Sequence, residues 1–256
     1  MRIFKILVIL LLVSTCLSSC ISKKEVLYFQ DIERLNTSKN EISYNTIIRP
    51  NDLLSIFVVG GSPEVVSAFN PTVGVAQQDG SSTGYSPSNT YLVDQYGAIE
   101  FPLVGSITVG NLSRTEALQR LKEAVSIYVK DPVINLRIIN FTISVLGEVK
   151  RPGTYSINDE NISLLKALGL AGDLTIYGDR KNVVLIRESN ESKIYKVIDL
   201  TSASILGSEF YYLQQNDVLI VSPNKAQVQS AAFSRSTTIL FSIAGLALAV
   251  ITLFTR

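Results

Sequence analysis

Apolar and polar positions alternate along the chain in blocks that mark out separate parts. Ile6 to Val13 is an unbroken apolar run behind Arg2 and Lys5. Residues 20–43 turn polar and mixed in charge, with Lys23, Lys24, Glu25, Asp31, Glu33 and Arg34, and read as a tether. Arg49-Pro50-Asn51-Asp52 predicts a turn, and Leu53 to Val59 predicts a buried strand after it. Residues 60–90 collect Gly, Ser and Pro and predict a long mobile insertion, in which Phe69 and Tyr85 are aromatic candidates for sugar contact. Tyr91-Leu92-Val93, a turn at Asp94-Gln95-Tyr96-Gly97 and an apolar stretch from Ala98 to Val104 follow. Ser113-Arg114-Thr115-Glu116 has the spacing of a capping box. The helix it opens places Ala117, Leu118, Leu121, Val125 and Tyr128 on one face and stops at Asp131-Pro132.

A strand run from Val133 to Leu146 changes phase near Ile138-Ile139-Asn140, which predicts a bend and a domain boundary. Asn161 is the expected cap of a short helix through Leu164, Leu165, Ala167 and Leu168, closed by Gly169 or Gly172. Strands are expected at Val183–Arg187, Ile194–Leu200 and Val218–Val221. Asn216-Asp217 before the last strand echoes Asn51-Asp52 before the first. The sum is an α+β chain with units at 44–140 and 141–223.

Both ends carry membrane signals. The apolar run of Ile6 to Val13 is long enough for a signal core and too short to span a bilayer. Leu17-Ser18-Ser19-Cys20 after it resembles the bacterial lipoprotein signal. That resemblance makes 1–19 a signal peptide and Cys20 the acylated first residue of the mature chain; Cys16 has poorer neighbours. No Asp follows Cys20, so outer-membrane delivery is expected. Ser236 to Thr255 is free of charge, and its 20 residues would reach about 30 Å as a helix, the thickness of the hydrocarbon core. A transmembrane helix is therefore expected at 236–255. On it Thr238, Ser242, Gly245, Ala249 and Thr252 fall on one stripe, the pattern through which membrane helices pack or line a lumen. A plain single-span anchor is the simpler alternative.

Composition narrows the chemistry. The chain has 23 Lys+Arg, 22 Asp+Glu and no His. That near-balance argues against a nucleic-acid partner. Without His there is no Ser-His-Asp or Cys-His catalysis, and two Cys cannot form a four-Cys zinc site. No catalytic residue, metal site or cofactor is expected.

Arg49-Pro50-Asn51-Asp52-Leu53-Leu54 resembles the opening motif of polysaccharide biosynthesis/export proteins. The stretch from Asp94 through Gly97, Ile99 and Pro102 to Gly105 resembles their second motif. Val145 to Tyr155, with Arg151-Pro152-Gly153, looks like the start of the soluble-ligand-binding β-grasp domain of that family, which Ala171-Gly172 and Asn216 to Val221 complete. Asn51 and Asp173 stand where the family usually has Gly.

The resemblance implies an N-terminal polysaccharide-export domain, one β-grasp domain and a C-terminal membrane helix. It also implies a ring-shaped homo-oligomeric outer-membrane lipoprotein with domains in the periplasm. Capsular or extracellular polysaccharide would pass through it, handed over by an inner-membrane copolymerase or tyrosine kinase. A monomeric periplasmic glycan-binding lipoprotein without a pore is the second reading, and a polysaccharide lyase or hydrolase the third. No Trp is present and the 11 Tyr and 10 Phe are scattered, which weighs against a dense aromatic platform.

Overall fold

A computed structural model describes residues 23–34, 46–71, 89–189, 192–232, 242–243 and 245–246. Cys20, Tyr85, Thr238, Ala249 and Thr252 lie outside the described residues, as does most of the expected insertion.

The first unit contains β1 (Leu53–Val59), α1 (Pro63–Phe69), β2 (Thr90–Leu92), β3 (Ala98–Phe101), β4 (Gly105–Thr108), α2 (Arg114–Val125) and β5 (Val133–Ile138). β1 lies between β2 and β5 and is antiparallel to both. Leu54, Ile56 and Val58 pair with Ile138, Leu136 and Ile134, which puts these apolar side chains on one face. The opposite face of β1 is open, with Phe57 48% and Val59 49% exposed. The strand is therefore buried on one face only, although its sequence reads as apolar on both.

α2 closes the inner face through Ala117, Leu121 and Val125. Its capping box is formed: Ser113 Oγ accepts the Glu116 N–H, and the Glu116 carboxylate accepts the Ser113 N–H at 2.7 Å. The helix ends at Val125, before the expected stop at Asp131-Pro132, because the chain turns so that Val129 enters the core. Tyr128 leaves the helical face and donates its hydroxyl to the Leu103 carbonyl at 3.1 Å.

The expected insertion begins as structure. Ser62 and Pro63 start α1, and its last residue, Phe69, is fully buried and stacked 5.8 Å from Phe101. Pro at the first helical position suits the fixed φ of the ring and wastes no N–H. Phe69 is thus a core residue and not a sugar contact. The apolar stretch over 98–104 divides at Pro102-Leu103-Val104 into the β3–β4 hairpin, because Pro cannot donate to a ladder.

The second unit contains β6 (Thr142–Gly147), β7 (Gly153–Ser156), β8 (Ile162–Ser163), α3 (Leu164–Leu170), β9 (Gly178–Ser189), β10 (Ser192–Ile198), β11 (Tyr212–Leu213), β12 (Val218–Pro223) and α4 (Lys225–Ala232). Its main sheet has the order β10-β9-β12-β6-β7, with β12 parallel to β6 and antiparallel to β9. α3 joins its core through Leu164, Ala167 and Leu168. Ser163 caps this helix, its hydroxyl accepting the Lys166 N–H at 3.2 Å; Asn161, the expected cap, stands two residues too early.

Part of the expected tether is folded. Residues 23–34 run along the second unit, where the Phe29 and Gln30 N–H groups donate to the carbonyls of Leu200 and Thr201 at 3.1 and 2.7 Å. Tyr28 and Phe29 pack on its core. Asp31 accepts the Ala203 N–H at 2.6 Å and the Ser202 hydroxyl at 2.9 Å. Two aromatic rings, one carboxylate and two backbone hydrogen bonds dock the segment.

Candidate functional site at the junction of the two units

The turn before β1 begins with residues that suit it. Asn51 takes φ 71°, a left-handed conformation that Asn tolerates better than most residues. Asp52 then folds its carboxylate back onto the Arg49 N–H at 2.8 Å, while its own N–H donates to the Arg49 carbonyl at 3.1 Å. The turn before β12 repeats this geometry. Asn216 has φ 65°, the Gln214 N–H donates to Asp217 at 2.7 Å, and the Asp217 N–H returns to the Gln214 carbonyl at 3.1 Å. The sequence echo is thus a real structural repeat.

The two carboxylates differ electrostatically. Asp217 is fully buried and bridged by Arg187 Nε at 3.0 Å and Nη2 at 2.7 Å. Arg187 also donates to the Tyr212 carbonyl at 3.0 Å and lies 5.6 Å from the Phe210 ring centroid. Asp52 is 1% exposed, with no such fork on it. Burial pushes its carboxyl up to about 6, against the opposing pull of the Arg49 N–H and the Arg49 charge.

The first turn is knitted to the second motif. The Asn51 N–H donates to the Val93 carbonyl and the Val93 N–H to the Asp52 carbonyl, each at 2.9 Å. The Asn111 N–H reaches the Ile48 carbonyl at 2.8 Å. Gly97 (φ 81°) and Gly110 touch backbone to backbone: a Cβ on Gly110 would lie 2.5 Å from the Gly97 Cα.

Asn140, in the bend between the units, ties the turns together. Its Oδ1 accepts the Leu53 N–H and its Nδ2 donates to the Asn51 carbonyl, both at 2.9 Å. Gln215 reaches back from the second unit, donating to the Asn140 carbonyl at 2.7 Å and accepting the Thr142 N–H at 2.8 Å. Arg49 bridges the units on one side, donating to the Glu188 carbonyl at 2.9 Å and to the Gln214 side chain. Arg114 pairs with Glu160 at 3.0 Å on another. Beside Arg49 opens a cleft of about 780 Å³ with both Asn turns and the Tyr96 turn on its walls.

Comparison with known proteins identifies the two domains. The model for polysaccharide biosynthesis/export protein matches residues 40–139, and the model for the SLBB domain matches residues 142–221. The chain is 34% identical over 145 residues to the EPS I polysaccharide export outer membrane protein EpsA of Ralstonia nicotianae, spanning 55% of this chain and 38% of that one. It is 29% identical over 181 residues to the EpsA of Ralstonia solanacearum, spanning 66% and 48%. Residues 40–139 are thus a polysaccharide biosynthesis/export domain, followed over 142–221 by an SLBB domain. The aligned part covers less than half the length of either relative.

The junction brings together the opening motif, the turn of the second motif and the Asn216 turn, three of the stretches on which the resemblance rests. Its tying residues, Asn140 and Gln215, were not singled out from sequence, since an amide in a bend carries no periodic signal. Arg187 left a usable sign, as a cation closing an apolar strand.

The residues expected at the membrane are mostly beyond the described part. Ser242 and Gly245 lie in helical stretches, Ser242–Ile243 and Gly245–Leu246, and are exposed, as are Ile243 and Leu246. Among the described residues no helix is long and apolar enough to cross a membrane.

Proposed function

We propose that this protein is a lipid-anchored outer-membrane component through which capsular or extracellular polysaccharide leaves the cell. The observation that carries this is the ordered pair of domain matches, export domain then SLBB domain, together with relatives named as export outer membrane proteins. In this reading Cys20 is acylated, the folded units stand in the periplasm, and copies of the chain form a ring around the polymer. An inner-membrane copolymerase or tyrosine kinase delivers the polymer, and residues 236–255 form a membrane helix packed or lumen-facing along Thr238, Ser242, Gly245, Ala249 and Thr252. The protein is a conduit and not an enzyme.

The docked segment supports an orientation. Cys20 is three residues from Lys23, a reach of at most about 11 Å. Residues 236–255 follow α4, which leaves the second unit directly after β12. Both membrane attachments thus issue from the second unit, which would lie nearest the outer membrane with the first unit below it.

Deleting the gene should remove polysaccharide from the cell surface while synthesis continues; unchanged surface polymer, with no paralogue substituting, refutes the export role. Cys20→Ala should abolish fatty-acid labelling of the protein. Detergent-extracted particles should be several times the 28.0 kDa of one chain, whereas monomeric particles would favour the carrier reading.

A further inference from the structure

We propose that the turn carrying Ile176 and Tyr177 is a lipid-contacting foot, on which the second unit rests against a phospholipid surface. The proposal rests on the anchored orientation given above and adds a contact point to it.

The composition of the turn is unusual. α3 ends at Leu170 and β9 starts at Gly178. The Gly178 N–H donates to the Thr175 carbonyl at 3.1 Å and closes a turn whose two central residues are Ile176 and Tyr177. Gly, Pro, Asn, Asp and Ser ordinarily dominate such turns. Here two large side chains stand there instead, with Ile176 53% and Tyr177 43% exposed. Leaving them in water forgoes the free energy that burial of their apolar surface would supply.

The backbone holds them out. Leu174, just before the turn, is buried in the core of the second unit. Thr175 donates its N–H to the Glu148 carbonyl at 3.0 Å and its hydroxyl to the Glu148 carboxylate at 2.8 Å. The buried Arg180 donates to the carbonyls of Thr175 and Gly178, each at 2.7 Å. Asn224 donates its side-chain amide to the Ile176 carbonyl at 3.1 Å and its backbone N–H to the Tyr177 carbonyl at 2.7 Å. All four carbonyls from Thr175 to Gly178 thus have donors, and the turn is fixed with its apolar side chains outward.

This turn stands where both proposed attachments leave the unit. At its base the Asp173 carboxylate accepts the Tyr28 hydroxyl, and the docked segment that carries Tyr28 starts three residues after Cys20. On its other side Asn224 caps α4, its Oδ1 accepting the Gln227 N–H at 3.0 Å, and α4 leads toward residues 236–255. Leu27, beside Tyr28, and Val228, one helical turn after Asn224, are exposed as well. Apolar exposure therefore flanks both points from which the chain would be drawn to lipid. A branched alkyl group for the acyl boundary and a phenol for the headgroup level suit a membrane interface.

The chain has no Trp, so one introduced indole reports alone. Tyr177→Trp and Ile176→Trp are made separately in the full-length protein and reconstituted into vesicles of phosphatidylethanolamine and phosphatidylglycerol. Phe57→Trp, on the open face of β1 in the first unit, is the control. A foot seated about 5–10 Å into the interface should emit to the blue of an indole in water, and lipid brominated high on its acyl chains should quench it about twofold. The Phe57→Trp emission should be unquenched. Unfolding temperatures equal to the wild type check that the variants are folded. The proposal is overturned if both turn variants emit as in water, or if Phe57→Trp is quenched equally. It is also overturned if the turn variants are blue-shifted but unquenched, the signature of a second copy covering the turn. Retention in the vesicles through an alkaline wash tests the anchored orientation separately. A chain that is retained but unquenched removes the foot alone; a chain that washes off removes the anchored orientation and the foot with it.

Discussion

Asp52 shows how one carboxylate couples local geometry to pH. Its ordinary value of 3.8 is raised to about 6 in the fold by burial, so the folded state holds a proton that the unfolded state releases. Stability from this group is therefore fully present below about pH 4, falls as pH rises toward 6 and is flat above it, a loss of about 1–3 kcal/mol. Asp52→Asn keeps an oxygen for the Arg49 N–H and removes the ionisation. We expect the variant to unfold at a higher temperature than the wild type at pH 7.5, and the difference to vanish at pH 4. A second residue-scale prediction concerns Gly110, where any Cβ meets the Gly97 backbone. Gly110→Ala should cost about 1–3 kcal/mol in denaturant unfolding, because the Gly97 backbone must move away to admit it. The contrast with Asp217 is instructive: the same Asn-Asp turn is neutralised there by Arg187, so the sequence repeat carries over the backbone geometry and not the electrostatics.

Among the elements, α2 follows local rules most closely. Its capping box, its apolar face and its position between β4 and β5 all have sequence signals. Ser113→Ala removes an acceptor from the Glu116 N–H and should cost about 1 kcal/mol, measured by thermal unfolding at neutral pH. Elements with a weak local signal behave differently. α1 has only seven residues and begins inside a Gly- and Ser-rich region, yet it forms because Phe69 can reach the core beside Phe101. β8 and β11 are two residues each and exist through their pairing with one another. Residues 23–34 hold only short 3₁₀ turns and owe their place to Tyr28, Phe29 and Asp31 against the second unit.

At the scale of the molecule, the junction sets how the two units stand to each other. Asn140 satisfies backbone groups of the β1 turn while Gln215 binds its carbonyl, so the bend is bonded from both sides. Asn140→Ala leaves the Leu53 N–H and the Asn51 carbonyl without these partners. It should cost about 1–3 kcal/mol and loosen one unit against the other. Hydrogen exchange should rise at 49–54 and 138–142 and stay unchanged in α3; protection retained across the bend would show that Arg49 and Arg114 suffice to hold it.

What the sequence determined by itself was whatever short-range physics encodes. The apolar runs of β1 and β12, the 3.6-residue face of α2, the phase change at 138–140 and the Asn-Asp turns each depend on residues a few positions apart. So did the family motifs, which are ordered runs of such turns and strands. Tertiary structure decided which face of β1 meets the core, where α2 stops, that Phe69 is interior, and that 23–34 lies on the second unit. It also decided that residues as far apart as Arg49, Tyr96 and Asn216 border one cleft. These outcomes depend on contacts between positions tens to more than a hundred residues apart. No window of local pattern contains both partners of such a contact.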